Sequence, residues 1–324
     1  GRLLRSYLAL PLLEEREIIA RQNTVEGFLE ASSLREDIRT ALKGLPDMER
    51  LASRLATARI SPKELARLNT ALEASAKVVQ AVEASQVEVP LNTPDVLAPL
   101  HEKLALALVD DPVVVIGKGE SIRSSYNHEL LRLRGLLNDA TSTLEEIRAR
   151  EAEASGIPSL KLAFNNVFGY YLEVRNSHKD KVPEEWHRKQ TLVNAERYIT
   201  DELKKFEAEV LGAEEKIKAI EIQLFEELVA FSNQFLKGVL TLARWIATVD
   251  VLSSFAEIAL RNNYIRPKFI QEQAIAIEKG RHPVIEKVLP EQQVYIANGI
   301  EMSSADSSIA MITGPNMSGK SAFL

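Results

Sequence analysis

The sequence predicts a mainly α fold: a helical region, two long antiparallel helices carrying a small β-rich element between them, and the first strands of an α/β region leading into a phosphate-binding loop. Three observations predict it. First, apolar residues recur every seven positions in two places, Leu130, Leu137 and Leu144, and then Leu203, Val210, Ile217, Leu224 and Phe231. A sustained heptad of this kind is the seam of paired helices. Second, the period changes between the two seams: "SLKLAFNN" alternates Leu160, Leu162 and Phe164, and "GYYLEVRN" and "TLVNAERYIT" are rich in β-formers. Third, Gly314-Pro315-Asn316-Met317-Ser318-Gly319-Lys320-Ser321 fits G-x-x-x-x-G-K-[ST] directly after the short apolar run Ile309–Thr313.

The elements follow in order. "LLEEREIIARQNTVEGFL" places Ile18, Val25, Phe28 and Leu29 at helical spacing, and "DMERLASRLA" does the same with Met48, Leu51 and Leu55. Ser61-Pro62-Lys63-Glu64 is a helix start, with a Ser cap, Pro at the first position and Glu three residues on. Three prolines in "EVPLNTPDVLAPL" mark a change of element, and "DDPVVVIGKGES" reads as a strand or extended link closed by two glycines. A long helix is expected from about Ser124, with Leu133, Ala140 and Ile147 filling its seam, and a second from Thr200 to about Lys237, with Phe206, Ala213 and Ile220 filling the other. "LARWIATVDVLSSFAEIALRN" is one more helix. "YIRPKF", "AIAIEKGRHPVIEKV" and Ile309–Thr313 read as strands and turns, with a boundary near Asn263.

Composition narrows the classes. With 324 residues and 45% hydrophobic content the chain can fill more than one core, and a net charge of −6 excludes a globally basic nucleic-acid binder. The absence of cysteine excludes disulfides and thiolate-held zinc, and fits a reducing compartment. No apolar stretch reaches eighteen residues without charges, so no membrane segment or signal peptide is predicted; the expectation is a soluble, cytoplasmic protein.

Two stretches carry candidate chemistry. In a phosphate-binding loop, successive backbone N–H groups freed by glycines form an anion nest at a helix N-terminus. Lys320 would then reach the β- and γ-phosphates and the Ser321 hydroxyl would ligate Mg²⁺. Hydrolysis also needs an acidic Mg²⁺ ligand and a water-positioning group downstream, so the segment alone is expected neither to hydrolyse ATP nor to hold a cofactor. The second stretch, Arg175 to Arg197, holds six Arg or Lys against four acids, +2 in a chain of −6. Arg175, Asn176, Lys179, Lys181, Arg188, Lys189, Gln190, Thr191, Asn194 and Arg197 are the donors that backbone phosphates accept. The plain alternative for this stretch is a solvated mixed-charge surface, and for His282 in Arg281-His282-Pro283 a structural turn.

The wording of these motifs adds an identification. "TGPNMSGKS", "FNNVFGYYLEVRNSHKDKVPEEWHRKQTLVNAERYITDELKKFE", "GRLLRSYLALPL", "LPDMERLASR", "RNNYIRPKF" and "GRHPVIEKV" resemble, in the same order, segments of the MutS family of DNA mismatch-repair ATPases. The resemblance covers nearly the whole chain. It implies a helical core and first lever helix at 1–149, a clamp at 150–212, a second lever helix returning to the core at 213–265, and the opening of an ABC-type ATPase domain at 266–324. It also implies duplex DNA as a backbone-contacting partner, ATP and Mg²⁺ in the intact parent, a homodimer or paralogue partner, downstream repair factors, and Tyr295 stacked on adenine. After Ser321 the family continues with Thr-Tyr where this chain has Ala322-Phe323, and its mismatch-reading and connector domains are not in this sequence; the chain reads as an internal segment. A divergent MutS-like protein, an SMC-like ABC ATPase and a helical protein-binding scaffold are the alternatives. The SMC-like order, with the phosphate loop before the coiled helices, is the reverse of the order here.

Overall fold

The computed structural model describes residues 1–165, 167, 169–290, 294–314 and 319. It divides into two compact units, 1–262 and 263–324. In the first, α1 (Arg2–Ala9), α2 (Glu15–Glu30), α3 (Ser32–Leu42), α4 (Met48–Ala56), α5 (Pro62–Ser85) and α6 (Ala98–Ala107) precede the two arms. Polar residues at the helix starts supply partners for amides that have none within the helix. Asp47 accepts from Arg50 N–H before α4. Ser61 and Glu64 form the full reciprocal capping box before α5.

α10 (Leu236–Asn262) is the spine of this unit. It packs on α2, α3 and α4, and Val239, Leu242, Trp245, Ile246, Val249, Leu252 and Ala256 are all buried. Among the described residues it is the one helix long and apolar enough to cross a membrane, but 61% of its apolar window lies inside the fold. Burying a large aliphatic or aromatic side chain contributes about 1.5–3 kcal/mol, so the apolarity of α10 is accounted for by the core.

The first arm departs from expectation. In place of one helix from Ser124 there is a 3-10 turn (Ser124–Tyr126), α7 (His128–Asn138) and α8 (Ala140–Ser155), parted at Asp139. The Ser142 and Thr143 hydroxyls both donate to the Asp139 carbonyl, at 2.8 and 3.0 Å. The same carbonyl still accepts the Thr143 N–H at 3.0 Å, so the two hydroxyls add to the ladder bond there, and added donors of this kind bend a helix. The second arm, α9 (Asp201–Asn233), is continuous from its Thr200 cap, and ends a turn before the expected Lys237. The limits drawn at 149/150 and 212/213 fall inside α8 and α9.

The run 112–121 forms no strand. It is a loop closed at its base by one bridge, Leu108 to Ile122, with Val114 and Val115 exposed. Gly117 there has φ +78, and a Cβ would meet the Lys218 side chain at 2.8 Å. Glycine is the residue that takes this left-handed turn at such close range.

The second unit contains a hairpin, β5 (Ala274–Gly280) with β6 (Asn298–Ser303), and a short helix α11 (Ile285–Val288). His282 Nδ1 accepts from the Val284 and Ile285 amides at 3.2 Å, which makes it part of a turn. Neither 264–269 nor 309–313 is a strand, and Ile309 and Met311 are 86% and 88% exposed. A strand of that composition belongs between two paired neighbours with both faces covered, and no such neighbours occur among the described residues.

Candidate nucleic-acid interface

The sheet between the arms consists of β1 (Lys161–Asn165), β2 (Gly169–Arg175), β3 (His187–Thr191) and β4 (Ala195–Ile199), antiparallel throughout in the order β1-β2-β4-β3. Side chains alternate between its faces. Leu172 lies opposite Tyr198 and Val174 opposite Glu196, so these four share one face. There Leu172, Val174 and Tyr198 join Leu160, Ile157 and Trp186 over Ile147 of α8 and Leu203 of α9. The apolar periodicity of the arms and the alternation of the strands thus build one cluster at the arms' end. At the β1–β2 turn, Gly169 has φ +75, and a Cβ there would overlap the Glu207 carboxylate of α9.

On the opposite face Arg197 lies across from Glu173. Its Nε is 3.4 Å from Glu173 Oε2, its Nη1 donates to Gln190 Oε1 at 2.9 Å, and its guanidinium sits 4.5 Å above the Tyr171 ring. Arg197 and Gln190, nominated as phosphate donors, are therefore held within the sheet. Lys181 is likewise drawn to the Gly156 carbonyl at 3.2 Å. Asn176 donates its side-chain amide to the Val193 carbonyl at 3.0 Å and its N–H to the Asn194 carbonyl at 3.2 Å. This ties the 3-10 turn Asn176–Lys181 to the β3–β4 turn.

Arg175, Lys189, Thr191 and Asn194 remain exposed, with no side-chain hydrogen bond or ion pair among the described residues. Register brings Arg175, Asn176, Thr191 and Asn194 to one end of the sheet. The pairing of β3 with β4 shifts between Arg188 and Gln190, leaving Lys189 in a bulge. A bulge on an edge strand turns its side chain out of the regular alternation. Lys179 and Arg188 are about half exposed and converge on Glu196, at 2.7 and 3.5 Å.

Glu196 itself was counted in the sequence only as one acid among four, yet it is 2% exposed. Its other oxygen accepts from the Tyr198 hydroxyl. Lys179 first, and then Tyr198, hold its carboxyl below the ordinary value of 4.5. Burial, followed by the hydrogen bond to Glu196, pushes Tyr198 up to about 12. The signs are opposite. The contribution from Glu196 is complete above 4.5 and is lost as pH falls through its depressed value; that from Tyr198 is complete below 10 and is lost as pH rises through about 12. Sheet stability is expected to decline on the acid side, and Glu196→Gln to flatten that limb, in pH-dependent unfolding followed through Trp186 fluorescence in a Trp245→Phe background.

The G-x-x-x-x-G-K-S sequence lies in the second unit. Tyr295 is half-buried in an irregular segment. Gly314 is exposed and Gly319 has φ +84, the left-handed conformation a nest of this type uses. Pro315, Asn316, Met317, Ser318, Lys320 and Ser321 lie outside the described residues. Among the described residues no group of three or more His, Cys, Asp or Glu is placed to hold a metal ion.

The family model described as MutS domain III matches residues 1–256. The chain belongs to the MutS family. Curated relatives named DNA mismatch repair protein MutS match all of it. Those from Bacteroides thetaiotaomicron and Flavobacterium johnsoniae are each 46% identical over 330 residues, and that from Dehalococcoides mccartyi is 42% identical over 334. The chain spans 38% of the length of each. The domain III match takes in the six N-terminal helices, both arms, the sheet and most of α10, so the buried Glu196 and the broken first arm belong to a MutS segment.

Proposed function

We propose that this chain is the DNA-contacting and transmitting segment of a MutS-type DNA mismatch-repair ATPase. The observation that carries this reading is the end of the sheet, where the side chains of Arg175, Lys189, Thr191 and Asn194 stand exposed without partners among the described residues, beside the half-exposed Lys179 and Arg188. Such donors suit phosphate oxygens and carry no base-reading pattern, so contact is with duplex backbone irrespective of sequence. In the same proposal residues 314–321 hold ATP in the intact protein, with Lys320 on the β- and γ-phosphates, Ser321 toward Mg²⁺ and Tyr295 against adenine. The intact protein works in the cytoplasm as a dimer, with itself or a paralogue, alongside downstream repair factors.

The test is a titration of matched and singly mismatched duplexes across a salt series. Each phosphate contact contributes roughly −0.9 to the slope of log K against log salt. The expected result is one slope for both duplexes. Replacing Arg175 and Lys189 with Ala is expected to reduce its magnitude by about 2. Affinity that ignores salt, or a slope the double replacement leaves intact, would overturn the reading in favour of a protein-binding scaffold.

A further inference from the structure

We propose that Glu196 is a positioning residue for phosphate contact: its buried carboxylate gathers Lys179 and Arg188, from two separate segments, into a single anion-binding corner. The inference rests on the duplex-backbone reading above and adds to it a group that never touches DNA.

The geometry argues this in steps. Lys179 comes from the 3-10 turn Asn176–Lys181 and Arg188 from β3, while Glu196 sits in β4. Its carboxylate is covered, with 3% of the side chain exposed, whereas Lys179 and Arg188 are 52% and 58% exposed. Lys179 thus makes a close ion pair inward at 2.7 Å and Arg188 a looser one at 3.5 Å, while both leave donors toward solvent. Lysine carries three donors and arginine five, so neither has to leave Glu196 to reach a phosphate. A buried carboxylate without partners is costly, which favours keeping both cations in place. The Tyr198 hydroxyl fixes the second carboxylate oxygen from within the strand, and the Tyr198 ring is itself set against Trp186 at 6.0 Å between centroids. The corner is therefore anchored in the apolar cluster rather than in flexible side chains alone. Pre-ordering two long cationic side chains removes an entropy cost that free lysine and arginine would incur on binding.

Charge alone predicts the opposite outcome, which makes the idea decidable. Glu196→Gln raises the net charge of the corner by one, and a carboxylate that merely competed with DNA would, once removed, leave tighter binding and a steeper salt slope. Positioning predicts the reverse. Duplex affinity should fall by roughly threefold to tenfold, as for one weakened charge-assisted contact. The slope should flatten by about 1 in spite of the added positive charge. The measurement is the same salt series on the full chain, comparing the unaltered protein, Glu196→Gln and Lys189→Ala. Trp186 fluorescence, read in a Trp245→Phe background, reports whether the sheet is intact. Unchanged or tighter binding by Glu196→Gln, with Lys189→Ala weakened, overturns the inference and leaves the duplex reading standing. No salt-dependent binding by the unaltered protein overturns both. If Glu196→Gln unfolds the sheet, Tyr198→Phe decides, because it keeps the carboxylate and removes only its anchor. A twofold to threefold loss of affinity supports positioning, of the order expected for one weakened hydrogen bond; no loss overturns it.

Discussion

Replacing Glu221 with Ala is expected to destabilise the helical unit by about 3 kcal/mol, because it leaves a buried guanidinium with only the exposed Glu120 carboxylate, at 3.8 Å, as counter-charge. Arg134 of α7 and Glu221 of α9 are 9% and 2% exposed at the side chain, and meet at 2.8 Å. The same carboxylate oxygen accepts from the Ser121 and Ile122 amides at 2.8 and 3.1 Å. Arg134 in turn donates to the Ile122 carbonyl and the Ser124 hydroxyl at 2.8 and 2.9 Å. One ion pair therefore joins both arms to the loop 109–121, and its removal frees two amides as well as a cation. Against a typical total of about 5–15 kcal/mol, the shift in a urea midpoint should be unmistakable. The pair Arg134→Met with Glu221→Leu is expected to recover only the share owed to the orphaned charge, since the Ser121 and Ile122 amides stay unpaired. A single replacement costing below about 1 kcal/mol would show that the pair does not hold the arms.

The second large effect is Trp186→Ala, expected to cost about 3–5 kcal/mol, and to cost it locally. Trp186 is 5% exposed in a buried cluster of eight residues, separate from the main core, and its indole donates to Glu151 of α8 at 3.2 Å. So small a cluster has little capacity to close around the cavity. Amide exchange should accelerate in β2 and β4 while α5 stays protected, and duplex affinity should fall with the sheet. Equal protection in the sheet before and after replacement would contradict this.

The arms and the sheet were legible because each rests on a short-range period. Leu203, Val210 and Ala213 are buried as the heptad requires. Past Ile217 the buried stripe moves to Glu221, Phe225, Leu228 and Ser232; a seam read at seven does not follow a helix that turns every 3.6 residues. The break at Asp139 was hidden because Leu137 and Ala140 keep the seam on either side of it. Candidate donors could be named by type, but their use could not be read. Arg197 and Gln190 are held by Glu173 and each other through strand register, and Lys179 meets Glu196 across seventeen positions. These are pairings no local pattern encodes. The strand expected at 309–313 failed for a related reason, since a buried strand depends on neighbours.

The break at Asp139 gives the two arms different mechanical characters. α9 is one stiff rod of 33 residues, roughly 50 Å long at 1.5 Å per residue. α7 and α8 are two shorter struts meeting at Asp139, whose carbonyl takes the two hydroxyls in addition to the Thr143 N–H. When a rigid rod and a jointed strut share a load, compliance is confined to the joint, so displacement of the sheet relative to the helical core follows one arc. A turn of about 5° at the root of a rod of that length carries its far end roughly 4 Å, more than the span of a hydrogen bond. Glu221 lies 20 residues from the sheet end of the rod, roughly 30 Å, so the same 5° turn there would carry the sheet by roughly 2.6 Å.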